Sequence, residues 1–376
     1  MNEMLDQIVN GFISGKKIAL VHDHLVQDGG AEQVLKALKE IYPQAPIFTL
    51  VLDKSNTHNF FSRQRINTSF LQRIPLGVRK YQWWLALMPS AIESHNLMDY
   101  DLVISSASSF AKGAITNPHS VHVCYCYTPT RYLWHDTHNY LQELNVNFLI
   151  KKILPLTLRK LRVWDFLAAN RVDHFIAVSQ TAQERIKKYY HRDSEVIYPP
   201  VEIGKFSISD RPKKYFLAGG RLVPYKRIDL AVKAFSRLGI PLKVFGVGPE
   251  QTRLKKMSKD NVEFLGRIGE DLKCRLFADC LAYINPQEED FGITAVEAMA
   301  SGRPVIAYRA GGAIEIIREG ETGEFFEEQI WEELADKIIR FQPEKYDPQS
   351  IRQQAERFGA ERFKENITSF INGLLN

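Results

Sequence analysis

Two glutamates, Glu289 and Glu297, stand with seven residues between them in the segment of this chain that is richest in chemically useful groups. Glu289 lies in an acidic loop directly after an apolar, strand-like run. Glu297 falls in the first turns of a helix that Gly292 and Thr294 are predicted to open. Free N–H groups and the helix dipole at such an N-terminus favour a nearby acidic side chain or a bound phosphate. The segment therefore suits a ligand that carries both hydroxyl groups and phosphate.

Length and composition limit the class of protein that could hold this segment. The chain has 376 residues, which is long for one domain and natural for two, and 45% of them are hydrophobic. No apolar run reaches about 18 residues, so no transmembrane helix is expected. Residues 1–17 contain two acidic residues and do not resemble a secretory signal, so we expect a cytoplasmic protein.

The cysteines form no CxxC pair, which favours free, buried thiols in a reducing compartment, with metal ligation as the lesser alternative. They are Cys124, Cys126, Cys274 and Cys280. Charge is unevenly distributed along the chain. Residues 1–200 carry 22 Lys and Arg against 17 Asp and Glu, whereas residues 201–376 carry 27 of each. The excess of five positive charges in the first half suggests an anionic partner there, although a mildly basic surface is also common without any function.

The elements that must position the glutamates form two series of buried strands separated by amphipathic helices, a pattern that predicts parallel βαβ units. The first series is predicted at residues 17–22, 47–51, 102–105, 121–125 and 174–178. The second series is predicted at residues 215–218, 242–245, 262–265, 281–284 and 304–307. We therefore predict an α/β protein with two Rossmann-like domains.

The paired prolines Pro199 and Pro200 separate the two series and make a plausible inter-domain boundary. The predicted divisions are residues 1–198 for the first domain, 199–350 for the second, and 351–376 for a C-terminal helix that packs back on the first domain.

Four motifs in order give the chain a specific resemblance to a known family. They are Gly219-Gly220-Arg221-Leu222-Val223-Pro224-Tyr225-Lys226, Val244-Phe245-Gly246-Val247-Gly248-Pro249, Phe264-Leu265-Gly266, and the Glu289 to Glu297 block. Over nearly its whole length the chain resembles retaining glycosyltransferases of the GT-B fold, in the large family (glycosyltransferase group 1) that includes sucrose synthase and bacterial mannosyltransferases. The resemblance implies two Rossmann-like domains facing a cleft and a nucleotide-sugar substrate.

By this resemblance, Arg221 and Lys226 bind the donor diphosphate, where two fixed cations stabilise the charge that the leaving group gains. Glu297 is expected to accept hydrogen bonds from the ribose hydroxyls, and Glu289 to lie near the hydroxyls of the donor sugar. Without the other motifs, the two cations would be interpreted as a solvated loop pair and the two glutamates as an exposed acid and a helix-capping acid.

Further donor-binding positions come from the same resemblance. The backbone around the helix start is expected to face the sugar or phosphate, and the loops after the strands are expected to shape the nucleotide site. These positions are Gly220, Gly246, Gly266, Arg267, Phe291, Gly292, Ile293 and Thr294. Gly29 and Gly30 follow the first strand, where a dinucleotide-binding protein would carry GxGxxG. In the resembled family this loop closes near the transferred sugar.

One segment departs from the family pattern. Relatives often carry a histidine where Tyr127 stands, and a tyrosine can donate a hydrogen bond but is a poor base near neutral pH. A histidine-assisted role is therefore in doubt, and neither His22 nor His135 matches the motif position. Arg131 is a candidate for binding an acceptor phosphate, or else a structural ion-pair residue.

Two basic, apolar stretches in the first half suit the interface of an anionic membrane. One contains Arg73, Arg79, Lys80, Trp83 and Trp84; the other runs from Phe148 to Pro155 and continues through Arg159, Lys160, Arg162 and Trp164. A core-packed amphipathic helix with a solvated basic face is the commoner use of this pattern. No sequence motif supports nucleic-acid binding.

Taken together, the motifs predict an enzyme that transfers a hexose with retention. Mannose from GDP-mannose is the first expectation, passed to a lipid-linked or oligosaccharide acceptor in surface polysaccharide synthesis. No metal or other cofactor is expected. The alternatives are a UDP-sugar-dependent glycosyltransferase, a sugar-nucleotide epimerase or hydrolase, and a non-catalytic sugar-nucleotide sensor. The mannose assignment depends on the residues of these motifs, since fold alone does not determine a substrate.

Overall fold

The computed structural model describes residues 15–57, 59–137 and 148–375. The chain divides into two compact units. The first contains residues 1–200 together with 361–376, and the second contains residues 201–360. The first unit is therefore built from two separate stretches of chain.

A seven-stranded sheet in which every paired strand runs parallel forms the centre of the first unit, with the order β3-β2-β1-β4-β5-β6-β7. All six residues of its fourth strand are buried, as expected for a parallel sheet that is covered on both faces. Its strands are β1 (Ile18–His22), β2 (Ile47–Thr49), β3 (Ile66–Thr68), β4 (Leu102–Ala107), β5 (Val121–Cys126), β6 (His174–Ala177) and β7 (Ser194–Val196).

Six α-helices accompany this sheet among the described residues. They are α1 (Gly30–Ile41), α2 (Asn59–Ser62), α3 (Met88–Glu93), α4 (Phe148–Asn170), α5 (Gln180–Tyr190) and, from the end of the chain, the helix Ala360–Leu375. The last helix buries Phe363, Ile367 and Ile371. The Phe363 ring lies 5.6 Å from the ring of Tyr125 on β5, and Lys364 pairs with Glu40 at 3.0 Å. This helix therefore completes the core of the first unit.

The second unit is built on a six-stranded parallel sheet with the order β10-β9-β8-β11-β12-β13. Its strands are β8 (Phe216–Gly219), β9 (Leu242–Phe245), β10 (Val262–Gly266), β11 (Tyr283–Asn285), β12 (Val305–Tyr308) and β13 (Gly323–Phe326). Its helices are α6 (Ile228–Leu238), α7 (Gln251–Met257), α8 (Glu270–Asp279), α9 (Ile293–Ala300), α10 (Ala313–Ile316), α11 (Trp331–Arg340) and α12 (Pro348–Glu356). The helix Ala360–Leu375 is then α13.

Three short strands were missed in the sequence, and all three lie at sheet edges: β3, β7 and β13. β3 and β7 have only three residues each and are partly exposed, so they lack the continuous apolar run that marks a central strand. The single C-terminal helix predicted over residues 351–376 is wrong in detail. The segment forms two helices, α12 and α13, and α12 belongs to the second unit whereas nearly all of α13 belongs to the first.

Both sheets reverse their strand order once. The reversal lies between β1 and β4 in the first sheet and between β8 and β11 in the second. In open parallel sheets, ligands bind in the crevice outside the carboxyl ends of the strands at such a point. The loops that follow β1, β4, β8 and β11 are therefore the places to look for functional groups.

Two further properties bear on function. Within residues 15–57, 59–137 and 148–375, no helix combines the length and the apolar character needed to cross a bilayer. The four cysteines are free thiols; Cys274 is half-buried and the other three are buried.

Candidate active site

Three glycine loops are stacked at the carboxyl end of the second sheet. Gly246 has φ of +106°, and a Cβ there would overlap the carbonyl oxygen of Gly220. Its N–H donates to the Gly266 carbonyl oxygen at 2.6 Å. A Cβ on Gly248 would likewise overlap the backbone of Leu222. The loops after β8, β9 and β10 therefore hold one another in place, and only glycine fits at their contacts.

Lys226 and Glu289 form an ion pair at the point where the strand order of the second sheet reverses. Lys226 ends the short 3-10 turn Pro224–Lys226 after β8, and Glu289 lies in the loop after β11. Gln287 donates from Nε2 to Glu289 Oε1 at 2.8 Å. The Lys226 and Glu289 side chains are 15% and 14% exposed. Two residues that the sequence assigned to the same ligand, 63 positions apart, are thus brought into contact.

The start of α9 lies beside this pair. Gly292 is the N-cap residue with φ of +111°, and no side chain caps the helix. A Cβ on Gly292 would stand in van der Waals contact with Glu289 Oε2 at 3.7 Å, so the helix start and this carboxylate are direct neighbours. The structure corrects one detail of the prediction: Thr294 is the second residue of the helix, and the capping position belongs to Gly292 alone.

The residues next to Gly292 present mainly backbone groups to this site. The Phe291 side chain is buried and its ring packs 5.4 Å from that of Phe358, so only its backbone can meet a ligand. Ile293 begins α9 and is half-buried.

Glu297, in the second turn of α9, pairs with Lys273 of α8 at 2.8 Å. Burial raises the pKa of Glu297 above its ordinary value, although the adjacent Lys273 charge opposes this shift. Burial also disfavours the charge on Lys273, but the Glu297 carboxylate beside it raises the pKa of the lysine overall. Lys273 could not be predicted as part of the site, because nothing in a helical pattern indicates which carboxylate a lysine will meet.

Two arginines at the same end of the sheet are exposed. Arg221 donates from Nη2 to the Tyr225 hydroxyl at 3.1 Å, and Arg267 directly follows Gly266, whose φ is +69°. Arg221 lies in the loop after β8 and Arg267 in the loop after β10. Both guanidinium groups are therefore available to an anionic ligand at the carboxyl end of this sheet.

In the first unit, Gly29 and Gly30 open α1. Gly29 is the N-cap residue, and its N–H donates to Glu32 Oε2 at 2.9 Å. Tyr127 lies directly after β5, and its hydroxyl is 3.0 Å from the Ala31 carbonyl oxygen and 2.8 Å from Ser106 Oγ. Tyr127, at the position where relatives often carry a histidine, is therefore hydrogen-bonded to the same turn that carries the two glycines.

Asp23, which the sequence analysis did not single out, is a buried carboxylate with five hydrogen-bond donors around it. Its donors are the backbone N–H groups of Ser108, Ser109, Phe110 and Ala111 and the hydroxyl of Ser108, at 2.6 to 2.8 Å. Burial alone would raise the pKa of Asp23, but His24, His22 and the Ser108 hydrogen bond hold it below its ordinary value. The carboxylate thus fixes the loop that follows β4.

Arg131 begins the 3-10 turn Arg131–Leu133 and is half-buried. The turn is anchored by a buried ion pair between Lys112 and Asp165, whose Nζ and Oδ1 atoms lie 2.6 Å apart. Three further donors bind Asp165: Thr130 Oγ1, Trp134 Nε1 and the Tyr190 hydroxyl. The position of Arg131 is therefore set by its neighbours on both sides.

The basic, apolar stretches divide into exposed and inward-facing residues. Trp83 is 70% exposed, and Lys80 lies over its ring at 5.1 Å. Two residues predicted for the membrane-facing surface, Arg162 and Trp164, are half-buried and bind other parts of the protein. The Trp164 ring lies 5.6 Å from Phe110 and donates to Glu93, and Arg162 donates to the Leu133 carbonyl oxygen. The side chains of residues 148–151 lie outside the described part of the chain.

Comparison with known proteins agrees with this arrangement. The family model "Glycosyltransferase Family 4" matches residues 28–205, and the model "Glycosyl transferases group 1" matches residues 202–358. The chain belongs to the group 1 glycosyltransferases. Among relatives of this glycosyltransferase, the O-antigen chain mannosyltransferase RfbU of Salmonella typhimurium is 28% identical over 59% of the chain. A GDP-mannose-dependent alpha-mannosyltransferase of Corynebacterium glutamicum is 36% identical over 28% of it.

These sequence matches also cover only part of each relative's own length. The chain spans 65% of RfbU, 25% of the Corynebacterium protein, and 17% to 50% of two other curated relatives. Among solved structures, HepE of Anabaena in complex with UDP-glucose is similar with a TM-score of 0.69 at 20% identity. The match covers 95% of this chain and all of that one. Two Rossmann-like parallel sheets in one chain, together with this likeness, identify the GT-B fold.

Proposed function

We propose that this protein transfers a hexose, with retention of configuration, from a nucleotide sugar to a lipid-linked or oligosaccharide acceptor. The observation that carries the proposal is the contact between Lys226 and Glu289 beside the uncapped start of α9. A cation for a diphosphate, a carboxylate for sugar hydroxyls and an open helix N-terminus stand together there, as this chemistry requires.

In the proposed reaction, the acceptor hydroxyl oxygen forms a bond to the anomeric carbon while the bond from that carbon to the diphosphate oxygen breaks. The hydroxyl proton passes to the departing diphosphate, which leaves from the same face. Arg221, Lys226 and the N–H groups at the start of α9 stabilise the charge on the leaving group. Glu289 positions the sugar through its hydroxyls, and Glu297 binds the ribose. We assign no metal or other cofactor to this step.

We propose GDP-mannose as the donor, since two relatives carry mannosyltransferase names and one of them names GDP-mannose. A UDP-sugar is the competing candidate, because the structural neighbour HepE binds UDP-glucose. Thermal stabilisation of the purified protein by GDP, UDP, ADP and their sugar conjugates separates these possibilities. A shift with GDP and GDP-mannose alone supports mannose, and a shift with UDP alone overturns that donor while leaving the reaction class intact.

Transfer itself is tested by incubating the stabilising donor with lipid extracts and with short oligosaccharides. The products are then examined for a new glycosidic bond and its anomeric configuration. Release of free sugar or of an epimer from the donor alone would favour a hydrolase or an epimerase. Binding without any turnover, unchanged in a Glu289→Ala variant, would favour a sugar-nucleotide sensor.

We also propose that the first unit contacts an anionic membrane peripherally, at the cytoplasmic face. Among its described side chains, helix α4 exposes four large apolar ones at helical spacing: Ile153 (62%), Leu156 (62%), Val163 (58%) and Leu167 (54%). Lys152, Arg159 and Lys160 are exposed among them, and Asp165, the one acidic residue in this helix, is buried. An apolar stripe with basic groups exposed on the same helix suits an anionic lipid surface.

The membrane contact is tested by sedimentation of the full-length protein with phosphatidylglycerol-containing vesicles and with pure phosphatidylcholine vesicles. We expect binding to the anionic vesicles only, and loss of most of it in Ile153→Asn/Leu156→Asn. Ile339→Asn is the matched control, because Ile339 of α11 is 65% exposed in the second unit. Equal binding by both variants and the parent protein would contradict the proposed surface.

A further inference from the structure

Three polar side chains form a continuous chain at the point where the strand order of the first sheet reverses. His22 ends β1, and Ser106 stands opposite it in the register with β4. His22 Nδ1 lies 3.0 Å from Ser106 Oγ, and Ser106 Oγ lies 2.8 Å from the Tyr127 hydroxyl after β5. His22 is 2% exposed and Ser106 is fully buried, so water cannot substitute for these contacts.

The direction of each hydrogen bond in this chain follows from its last member. A carbonyl oxygen can only accept, so the Tyr127 hydroxyl donates its proton to the Ala31 carbonyl oxygen at 3.0 Å. Ser106 must then donate to the tyrosine oxygen. Since the Ser106 proton is used in that bond, its oxygen accepts from a proton on His22 Nδ1. Each hydroxyl in the chain is thereby both a donor and an acceptor.

The other side of the imidazole leads back to the same turn. His22 Nε2 lies 3.9 Å from Glu32 Oε1, and Glu32 Oε2 accepts the Gly29 N–H at 2.9 Å. Glu32 is 2% exposed, and Asp23 is the other carboxylate next to the imidazole. One end of this series of side chains therefore reaches Ala31, and the other reaches Gly29.

We propose that His22, Ser106, Tyr127 and Glu32 form a circuit that fixes the turn at Gly29, Gly30 and Ala31. Its links are hydrogen bonds except between His22 Nε2 and Glu32 Oε1, which approach each other to 3.9 Å. In this circuit Tyr127 is a positioning residue for the turn. Its one proton is committed to the Ala31 carbonyl oxygen, so it does not take the place of the histidine that relatives often carry there. Burial raises the pKa of the phenol well above its ordinary value, which keeps that proton in place at neutral pH.

Hydrogen exchange of the full-length protein tests the circuit without requiring any activity. In Tyr127→Phe, we expect the amides of residues 29–35 to exchange about fivefold faster, as the loss of one net hydrogen bond implies. Tyr125→Phe is the matched control, because the Tyr125 hydroxyl donates to the Ile197 carbonyl oxygen at 2.9 Å and does not touch the turn. Equal acceleration of these amides in both variants would overturn the proposal.

A second comparison tests whether the members act as one unit. Ser106→Ala should accelerate the same amides, and combining it with Tyr127→Phe should add little, because either change opens the circuit. Ser106→Thr, which retains a hydroxyl, should restore slow exchange. Additive effects of the two single changes would show that the hydrogen bonds are independent and would contradict the circuit.

The kinetic consequence rests on the proposed function and on the family resemblance, which implies that this turn lies near the transferred sugar. Tyr127→Phe should then raise the KM for the donor more than it lowers kcat, whereas Tyr125→Phe should change neither KM nor kcat. Failure of the parent protein to transfer any sugar would overturn the proposed function and leave the exchange result to decide the circuit. Transfer with unaltered KM and unaltered exchange in Tyr127→Phe would overturn the circuit alone.

Discussion

The two units place polar groups at equivalent points of similar sheets but use them differently. In the first unit, Asp23 accepts five hydrogen bonds from the protein itself, and Tyr127 binds the Ala31 carbonyl oxygen. In the second unit, Lys226 and Glu297 pair with side-chain charges that are partly exposed. A ligand can replace a side-chain partner at little cost, whereas it cannot replace a buried network of backbone bonds. The comparison favours a structural role for Asp23 and Tyr127 and agrees with the ligand site that we propose in the second unit.

The largest expected effect is on transfer, in the second unit. In the proposed reaction, Lys226→Met removes a charge that stabilises the leaving group, so we expect kcat/KM to fall by about 10²- to 10³-fold. Because the lysine is paired at a partly exposed position, the free energy of unfolding should change by about 1 kcal/mol or less. Kinetic assay and urea unfolding of the same preparation check both. A large loss of stability with intact transfer would reverse the comparison.

The next effect is on stability, in the first unit. Asp23→Ala leaves several buried N–H groups without an acceptor, so we expect the free energy of unfolding to fall by about 3 kcal/mol or more. Asp53→Ala is the control, because Asp53 also accepts several hydrogen bonds but lies in an exposed turn. Urea unfolding should show a loss of about 1 kcal/mol or less for that variant.

A smaller effect concerns nucleotide affinity. Glu297→Gln removes the charge that would accept the ribose hydroxyls, so we expect the Kd for the nucleotide to rise about tenfold. Isothermal titration measures it. Glu263→Gln is a control, because Glu263 of β10 pairs with Lys243 on the surface at 2.7 Å. Unchanged affinity in Glu297→Gln would separate this carboxylate from the binding site.

The smallest effect is a pH dependence. The folded pKa of Asp23 lies below its unfolded value of 3.8, so its ionised form favours the folded state. The stability advantage of the parent protein over Asp23→Ala should shrink as the pH falls below the unfolded value. Urea unfolding at several pH values measures this difference, and an advantage that grows on acidification would contradict the assigned direction.

The sequence was most informative where function depends on one loop at a time. The segments around Arg221 and Glu289 each follow an apolar strand and carry glycine, so they could be located without knowing what they contact. The pairing of Lys273 with Glu297 could not be predicted, because it depends on how two helices pack. The same holds for His22 and Ser106, which lie 84 positions apart and meet only through strand register.

Burial was the other property that the sequence did not supply. Trp164 belongs to a basic, apolar pattern that favours an exposed position, yet its indole N–H donates to Glu93. The edge strand β13 (Gly323–Phe326) pairs with β12 alone, and its own residues do not indicate that neighbour. In both cases the deciding partner lies on another element of the fold.

The position of α13 has a consequence for the order in which the protein can fold during synthesis. The first unit needs Phe363, Ile367 and Ile371 to fill its core, and these residues leave the ribosome after the whole of the second unit. The second unit, which ends at residue 360, has its whole chain available earlier. The N-terminal half must therefore wait, with part of its apolar surface uncovered, while the half made later is completed, which reverses the usual vectorial order.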